Sequence, residues 1–284
     1  MRRNGAILLA VVVIVAMAVA IGRYISAENG AGEVVLSSVQ GDVLLEGPGR
    51  TGEARVGTKM ALDDQITTAD GRAVLALEGG TRVRIGPDSS VVVTSVDEQG
   101  VGLELEGGAL RATVRPESGA VNVTGAGVTV QATDADFGVG VDGDIALLET
   151  TRGEVALMGT DQPRLPEGSR AVIRSRSAEI GPIPDELLLE VAWPEASRTR
   201  DERSRVSGRT APGALVTLEG PFGRQEVRAD DTGRFEAEVP LAEGSNALVV
   251  KAVDLLGQAA DVQGLLQTRD TQGPTFRGGV EYDK

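Results

Sequence analysis

The stretch Ala69–Val93, ADGRAVLALEGGTRVRIGPDSSVVV, decides the fold class, because apolar residues alternate with polar or small ones and only turn residues interrupt the pattern. In its TRVRI segment, Val83 and Ile85 are predicted to face one side of a strand while Arg82 and Arg84 face the other. No part of the neighbouring sequence shows sustained helical periodicity. The stretch therefore predicts short strands joined by tight turns.

Short internal repeats suggest how these strands are arranged. Leu77–Gly80, LEGG, predicts a two-residue hairpin turn at its glycines, because glycine tolerates the positive φ that such turns need. The same tetrapeptide recurs at Leu105–Gly108, and GDVLLEG (Gly41–Gly47) resembles GEVALMG (Gly153–Gly159). These echoes predict a curled, solenoid-like stack of short strands, closer to a β-solenoid than to a plain sandwich.

Composition excludes several classes of function. The chain of 284 residues has 42 acidic and 28 basic residues and a net charge of −14, which predicts no nucleic-acid partner, because phosphate binding depends on Lys and Arg. It has no cysteine and no histidine, so disulfides, thiolate zinc sites and the usual general base are absent. We predict no enzymatic activity and no cofactor.

The N-terminus predicts a membrane segment. Arg2 and Arg3 precede an uncharged apolar run at residues 6–22, and Arg23 follows it. This run is about the minimum length that spans a bilayer, and the positive-inside rule places Met1 in the cytoplasm. We predict an uncleaved signal anchor within residues 1–27, in a single-pass protein of the cytoplasmic membrane whose bulk lies in the periplasm or exterior. A signal peptide cleaved after Ala27 is the alternative.

The region at residues 34–177 resembles the FecR-type domain of bacterial envelope proteins. The resemblance rests on VGTKMALDDQITTADGRAVLALEGGTRVRIGPDSSVVV, then LELEGGALRATV and LLETTRGEVAL. The matching features are Val56-Gly57, Asp64 with Ile66 and Thr67, Gly71, Gly80-Thr81, the Pro87 turn, and Gly108 with Leu110. It implies a β-rich domain of the kind found in transmembrane signal transducers.

Two features depart from that family. Where the family usually has a glycine before Thr and Phe near its last strands, this chain has Ala132 in ATDADF. The best-known members also carry a cytoplasmic domain that regulates a sigma factor, whereas the predicted orientation places only about five residues inside. The resemblance therefore does not imply direct anti-sigma activity.

A second β region follows a predicted connector at residues 178–186. At residues 187–270 alternation resumes, with Phe235, Ala237 and Val239 predicted inward, and the pattern is typical of a β-sandwich. This region resembles the immunoglobulin-like modules of bacterial envelope proteins, which implies a spacer or adhesive role. The tail at residues 271–284 has no periodicity and is predicted to be disordered.

Two carboxylate motifs are candidate sites. Asp231-Thr232-Gly233 matches the aspartic-protease tripeptide, but its context predicts a hairpin turn. The second motif is a candidate Ca²⁺ site, formed by Asp134, Asp136, Asp142 and Asp144. Its spacing matches neither the EF-hand loop nor the glycine-rich nonapeptide, and Asp142-Gly143 is also a hairpin dipeptide.

Glycan binding would use aromatic side chains, and the part of the chain after the predicted anchor has few of them. Trp193 and Phe222 are the candidates. Acidic residues are numerous, but nothing in the sequence selects a pair for glycoside cleavage.

Taken together, the sequence predicts a membrane-anchored, non-enzymatic envelope protein that recognises other envelope proteins through sheet edges and loops, as a scaffold or a sensor. Two alternatives stay open. One is a protein that binds peptidoglycan or another polysaccharide, with cell-wall glycan as its partner. The other is an accessory subunit of transmembrane signalling without an anti-sigma domain of its own.

Overall fold

The computed structural model describes residues 33–271, and these divide into two compact units after Pro184. Within this range both units are built from β-strands, apart from short 3-10 turns at Glu78–Gly80 and Pro116–Ser118. The range contains no helix long and apolar enough to cross a bilayer. The predicted anchor at residues 6–22, and the predicted tail beyond Thr271, lie outside the described residues.

The strands of the first unit are β1 (Val34–Gln40), β2 (Val43–Gly47), β3 (Arg50–Glu53), β4 (Gln65–Thr68), β5 (Arg72–Leu77), β6 (Arg82–Ile85), β7 (Ser89–Asp97), β8 (Gly100–Thr113), β9 (Ala120–Gly125), β10 (Val128–Ala132), β11 (Ala135–Asp142), β12 (Ile145–Met158), β13 (Arg164–Pro166), β14 (Ser169–Arg174) and β15 (Ser177–Pro182).

These strands form two sheets that merge along two long strands. Sheet A has the order β1-β5-β6-β8-β11-β12-β14-β15. Sheet B has the order β3-β2-β4-β7-β8-β9-β10-β12-β13. β8 and β12 belong to both sheets, with their first and second halves pairing in different sheets. The sheets thus curl around one core, to which sheet A contributes residues such as Leu75 and Leu110, and sheet B Leu103 and Val123.

The alternation predicted in TRVRI is confirmed, since Val83 and Ile85 are buried while Arg82 and Arg84 are exposed. The curled, all-β character is also observed. The solenoid-like stack is not, because every strand pairing described in this unit except β8–β9 is antiparallel, whereas a solenoid stacks parallel strands.

The two LEGG repeats explain this difference. The first forms the turn between β5 and β6, with Glu78–Gly80 in a 3-10 conformation, so its loop is one residue longer than predicted. The second lies inside β8, where the register shifts between Ser90 and Val91 as the strand passes from sheet B to sheet A. Identical tetrapeptides therefore serve as a turn and as a bend within a strand.

The predicted connector at residues 178–186 starts too early. Residues as far as Pro182 belong to β15, which pairs with β14 along its whole length. The turn between them uses Ser175 and Arg176 at φ 48° and 70°. Neither residue is a usual choice for that conformation, so the sequence did not signal this last hairpin.

The second unit contains β16 (Glu190–Ala192), β17 (Arg198–Thr199), β18 (Arg203–Arg209), β19 (Leu215–Gly220), β20 (Gly223–Arg228), β21 (Arg234–Pro240), β22 (Gly244–Val253) and β23 (Ala259–Arg269). Its two sheets have the orders β16-β18-β21 and β17-β23-β22-β19-β20. They share one core. The predicted alternation in β21 is confirmed, with Phe235, Ala237 and Val239 buried.

Candidate functional site

The four aspartates of the candidate Ca²⁺ site lie at opposite ends of β11. Asp134 and Asp136 flank its start, whereas Asp142 ends it and Asp144 lies in the following turn. An extended strand rises about 3.3 Å per residue, which separates Asp136 from Asp142 by about 20 Å. Within residues 33–271, no group of three or more acidic side chains is placed to hold a metal ion. The structure therefore does not bring the four carboxylates together.

Two of these aspartates are instead bound by arginines. Asp134 Oδ1 lies 2.7 Å from Nη2 of Arg152, and Asp136 Oδ1 accepts a hydrogen bond of 3.1 Å from Nη1 of Arg115. The hydrogen bond from Arg152 holds the pKa of Asp134 below its usual value, and Asp134 and Asp136 together raise the pKa of Arg152. These ion pairs connect the start of β11 to β12 and to the segment that follows β8, which is a structural role.

Trp193 and Phe222 each rest on a glycine of the second unit. A Cβ atom on Gly264 would lie 2.8 Å from Cζ2 of Trp193, and one on Gly220 would lie 2.8 Å from Cε1 of Phe222. Gly264 of β23 lies opposite the buried Leu248 of β22. On the other side of β22, Gly220 ends β19, one residue beyond the pair formed by Glu219 and Val249. Both rings are half-buried and pack against the core. The two rings therefore act as packing residues, which fill the space that the absent side chains of the two glycines leave open.

The Asp231-Thr232-Gly233 triplet lies in the turn between β20 and β21, as predicted. The backbone N–H and the hydroxyl of Thr232 both donate to Oδ1 of Asp230, at 2.8 and 2.7 Å. The hydroxyl bond is the main reason why the pKa of Asp230 lies below its usual value. The triplet thus forms a turn, but not the predicted hairpin, because β20 and β21 belong to different sheets and the turn connects them.

Within the described residues, one edge of sheet A is covered by backbone and the other is partly blocked, although a partner strand would have to add at such an edge. At one edge, residues 57–60 run along β1, with Leu36 N donating to Thr58 O at 2.9 Å and Met60 N to Val34 O at 2.8 Å. At the other edge, the N–H of Ala178 in β15 donates to Oδ1 of Asp161 at 2.9 Å. Pro182, at the end of β15, has no N–H. The predicted recognition through sheet edges therefore has little room in this sheet.

The outer face of sheet A carries a group of arginines that sequence reasoning missed. Arg84 of β6 lies directly opposite Arg111 of β8, and Arg82 points to the same face two residues along β6. We call these three residues the arginine patch. The alternation of TRVRI indicated that Arg82 and Arg84 point outward, but only the pairing of β6 with β8 places Arg111 beside them.

A cleft of about 250 Å³ lies at one end of the first unit. The turn between β5 and β6, the hairpin between β7 and β8, and the 3-10 turn at Pro116–Ser118 form its walls. Its lining residues are Val34, Leu77, Glu78, Asp97, Glu98, Gly100, Glu117, Ser118 and Gly119. The carboxylates make the cleft unfavourable for anionic ligands.

Residues that form the FecR-like sequence pattern have structural roles. Asp64 is buried and accepts hydrogen bonds from Arg50 and from Ala61 N, the latter at 2.5 Å. Thr81 is also buried, and its hydroxyl accepts from Arg115 N at 2.9 Å. These residues of the FecR-like pattern therefore stabilise the fold.

Comparison with known families confirms the resemblance to the FecR-type domain. Residues 63–156 match the family model described as FecR protein. The chain contains a FecR domain. No curated protein matches the chain closely enough to indicate its function.

Two crystal structures of a "putative anti-sigma factor" from Parabacteroides distasonis ATCC 8503 are also similar to the chain. The first has 19% sequence identity and a TM-score of 0.36, and the alignment covers 41% of this chain and 57% of that protein. The second has 20% identity and a TM-score of 0.28, with 43% and 57% covered. The chain thus spans little more than half the length of either.

Proposed function

We propose that this FecR-domain protein is a non-enzymatic component of the bacterial envelope that acts by recognising other envelope proteins, as a scaffold or a sensor. The FecR domain at residues 63–156 carries the proposal. Its characteristic residues are engaged in holding strands together, and the carboxylates singled out as catalytic or metal-binding candidates form ion pairs and turns. The first unit exposes a charged surface, the outer face of sheet A.

The proposal includes the location and architecture of the protein. Residues 6–22 anchor the chain in the cytoplasmic membrane, so the FecR domain lies outside the cytoplasm. The second unit, two β-sheets around a shared core, is an immunoglobulin-like spacer. An alkaline phosphatase fusion after residue 33 should be active in cells, whereas an inactive fusion would contradict this orientation.

The full chain, purified in mild detergent, should serve as bait for envelope extracts in which protein and glycan fractions are separated. Two matched variants control for the fold. Gly108→Ala places a methyl group against Ser89 and Asp88, whereas Gly107→Ala meets nothing within 4 Å. We expect a discrete protein to be retained by the wild type and by Gly107→Ala, and to be lost with Gly108→Ala.

Other outcomes would overturn the proposal. Retention only by the glycan fraction would favour a wall-binding protein, with Trp193→Phe and Phe222→Leu as the next variants because they preserve packing. A hydrolytic activity that disappears on substitution of one carboxylate would make the protein an enzyme.

The FecR domain also supports a second function, as an accessory subunit of transmembrane signalling. In that case a deletion strain should show altered transcription of a defined gene set, restored by the wild-type chain. If the transcriptome of the deletion strain were unchanged and the bait experiment still retained a partner, the signalling function would be rejected and the scaffold role would remain.

A further inference from the structure

Two arginines of the patch, Arg82 and Arg84, lack the carboxylate partners that many arginines of the described residues have. Within residues 33–271, neither Arg82 nor Arg84 has a carboxylate partner, and both are exposed. Arg111 reaches Oε2 of Glu149 at 3.5 Å. Like charges directly opposite each other on neighbouring strands are destabilising. The pair formed by Arg84 and Arg111 is therefore an unfavourable contact, which Glu149 offsets only on the side of Arg111.

The second unit contains a similar pair of arginines that does have carboxylate partners. Arg203 and Arg205 are also two residues apart on the outer face of a strand, β18. There, Glu238 and Glu236 lie within 3.6 and 3.3 Å of them. The chain has 42 acidic residues, so the absence of such a partner beside Arg82 and Arg84 does not reflect a shortage of carboxylates.

The surroundings of the patch leave the guanidinium groups accessible. Its nearest neighbours on the same face have short side chains: Val74 and Ala76 on β5, Ala109 and Thr113 on β8, and Gly138 on β11. A guanidinium group binds carboxylates through two parallel hydrogen bonds, which requires an unobstructed approach. The patch is thus a flat surface with positively charged side chains above a floor of small ones.

The spacing of the arginines matches one kind of ligand. Residues i and i+2 of a strand are about 6.6 Å apart, so Arg82 and Arg84 are separated by the same repeat that separates alternate side chains of an extended peptide. We propose that the arginine patch binds an extended acidic segment of a partner protein, with carboxylates at every second residue. This inference rests on the proposed function and specifies the partner's chemistry.

An anionic membrane is the main competing ligand. In an anchored chain, the net charge of −14 opposes close contact of the exported domains with an extended negative surface, whereas a short segment responds to the local charge of the patch. Salt screens charges beyond about 10 Å at 0.1 M. Binding of the acidic segment should weaken as ionic strength rises.

The test uses the full chain and two fluorescein-labelled peptides of equal composition, one alternating Glu with Thr and one with its Glu residues in a block. The variant is Arg82→Ser with Arg84→Ser, and the matched control is Arg203→Ser with Arg205→Ser, which changes the net charge equally. We expect the alternating peptide to bind more tightly than the block peptide. The patch variant should weaken this binding about tenfold, and the control variant should not.

Three results would overturn the proposal: equal affinity for the two peptides, equal loss in both variants, or binding of phosphatidylglycerol vesicles that depends on the patch while peptide binding does not. Each is distinct from failure of the proposed function. The bait experiment with the patch variant distinguishes the two failures. If that variant still retained a partner protein, the chain would recognise proteins through a surface other than the patch.

Discussion

Asp64 shows how one residue of the family pattern stabilises the first unit. Its side chain is 1% exposed and receives hydrogen bonds from Arg50 and from the N–H of Ala61. A Cβ atom on Gly47 would lie 1.9 Å from Oδ1 of Asp64, so the glycine is needed for this carboxylate to fit. The interaction fixes residues 54–64 against the β2–β3 hairpin.

We expect Asp64→Ala to lower the free energy of unfolding by about 3 kcal/mol, because it leaves the Arg50 guanidinium and the N–H of Ala61 without the buried carboxylate that accepts their hydrogen bonds. Glu154→Ala is the matched control. It removes the carboxylate of an exposed pair in which Glu154 and Arg164 are 2.8 Å apart, and should cost less than about 0.5 kcal/mol. Urea unfolding followed by circular dichroism measures both. Equal shifts of the midpoint would show that burial of Asp64 has no special role.

Thr232 tests the interpretation of the DTG triplet as a turn. Thr232→Val removes the hydroxyl bond to Asp230, so the pKa of Asp230 should rise towards its usual value, whereas Thr232→Ser should keep it low. A carboxyl group whose pKa is lowered on folding stabilises the protein above its unfolded pKa, and this contribution is lost as pH falls through the folded pKa. The valine variant should therefore lose stability at neutral pH and approach the wild type in acid.

Carboxyl NMR titration of Asp230 measures the pKa directly. An unchanged pKa in Thr232→Val would contradict the assignment, because the hydroxyl bond would then have no influence on the charged form. A pKa that rises equally in Thr232→Ser would point to disruption of the turn itself.

At the scale of elements, two glycines allow the long strands to pass between sheets. Gly108 in β8 and Gly153 in β12 have φ of 85° and 74°, and each lies where its strand leaves one sheet for the other. Backbone from a neighbouring segment approaches both closely: a Cβ atom would lie 2.4 Å from Asp88 O at Gly108 and 2.5 Å from Asp134 O at Gly153. The curl of the unit depends on these two positions.

Gly108→Ala should therefore destabilise the protein by about 3 kcal/mol, through strain at positive φ and the close contact with Ser89. The adjacent Gly107→Ala has open space around its added methyl group and should change stability by less than about 1 kcal/mol. The two urea midpoints can be compared in one series. Similar losses at both positions would mean that flexibility of the Gly-Gly pair, and not the crossing geometry, is what β8 requires.

At the scale of the whole molecule, local pattern predicted most strands but little of their arrangement. The alternation around Val83 and Phe235 reflects the two-residue period of a strand, which sequence displays directly. The pairing of Arg84 with Arg111, the ion pair of Arg50 with Asp64 and the merging of two sheets along β8 depend on contacts between distant residues. For the same reason, neither the dispersal of the four aspartates nor the arginine patch could be predicted from spacing.

The first unit ends later in the chain than the sequence pattern indicates. Ending the chain at residue 177 follows the sequence pattern, whereas the structure extends the unit to Pro184. Without β15, the buried Ala171 and Ile173 of β14 would lie at an open edge, and the core would lose Ala178, which packs against it. An uncovered apolar edge strand is also a site of aggregation.

A fragment of residues 33–184 should unfold cooperatively and remain monomeric, whereas residues 33–177 should melt about 10 °C lower or aggregate. Circular dichroism melting and size-exclusion chromatography of the two fragments measure the difference. A third fragment, residues 33–184 with Ser175→Asn and Arg176→Gly, supplies a turn that favours the β14–β15 hairpin, and should melt at or above the temperature of the longer fragment. If the fragment ending at 177 matched the longer one, β15 would be dispensable, and the unit would end where the alternation of the sequence ends.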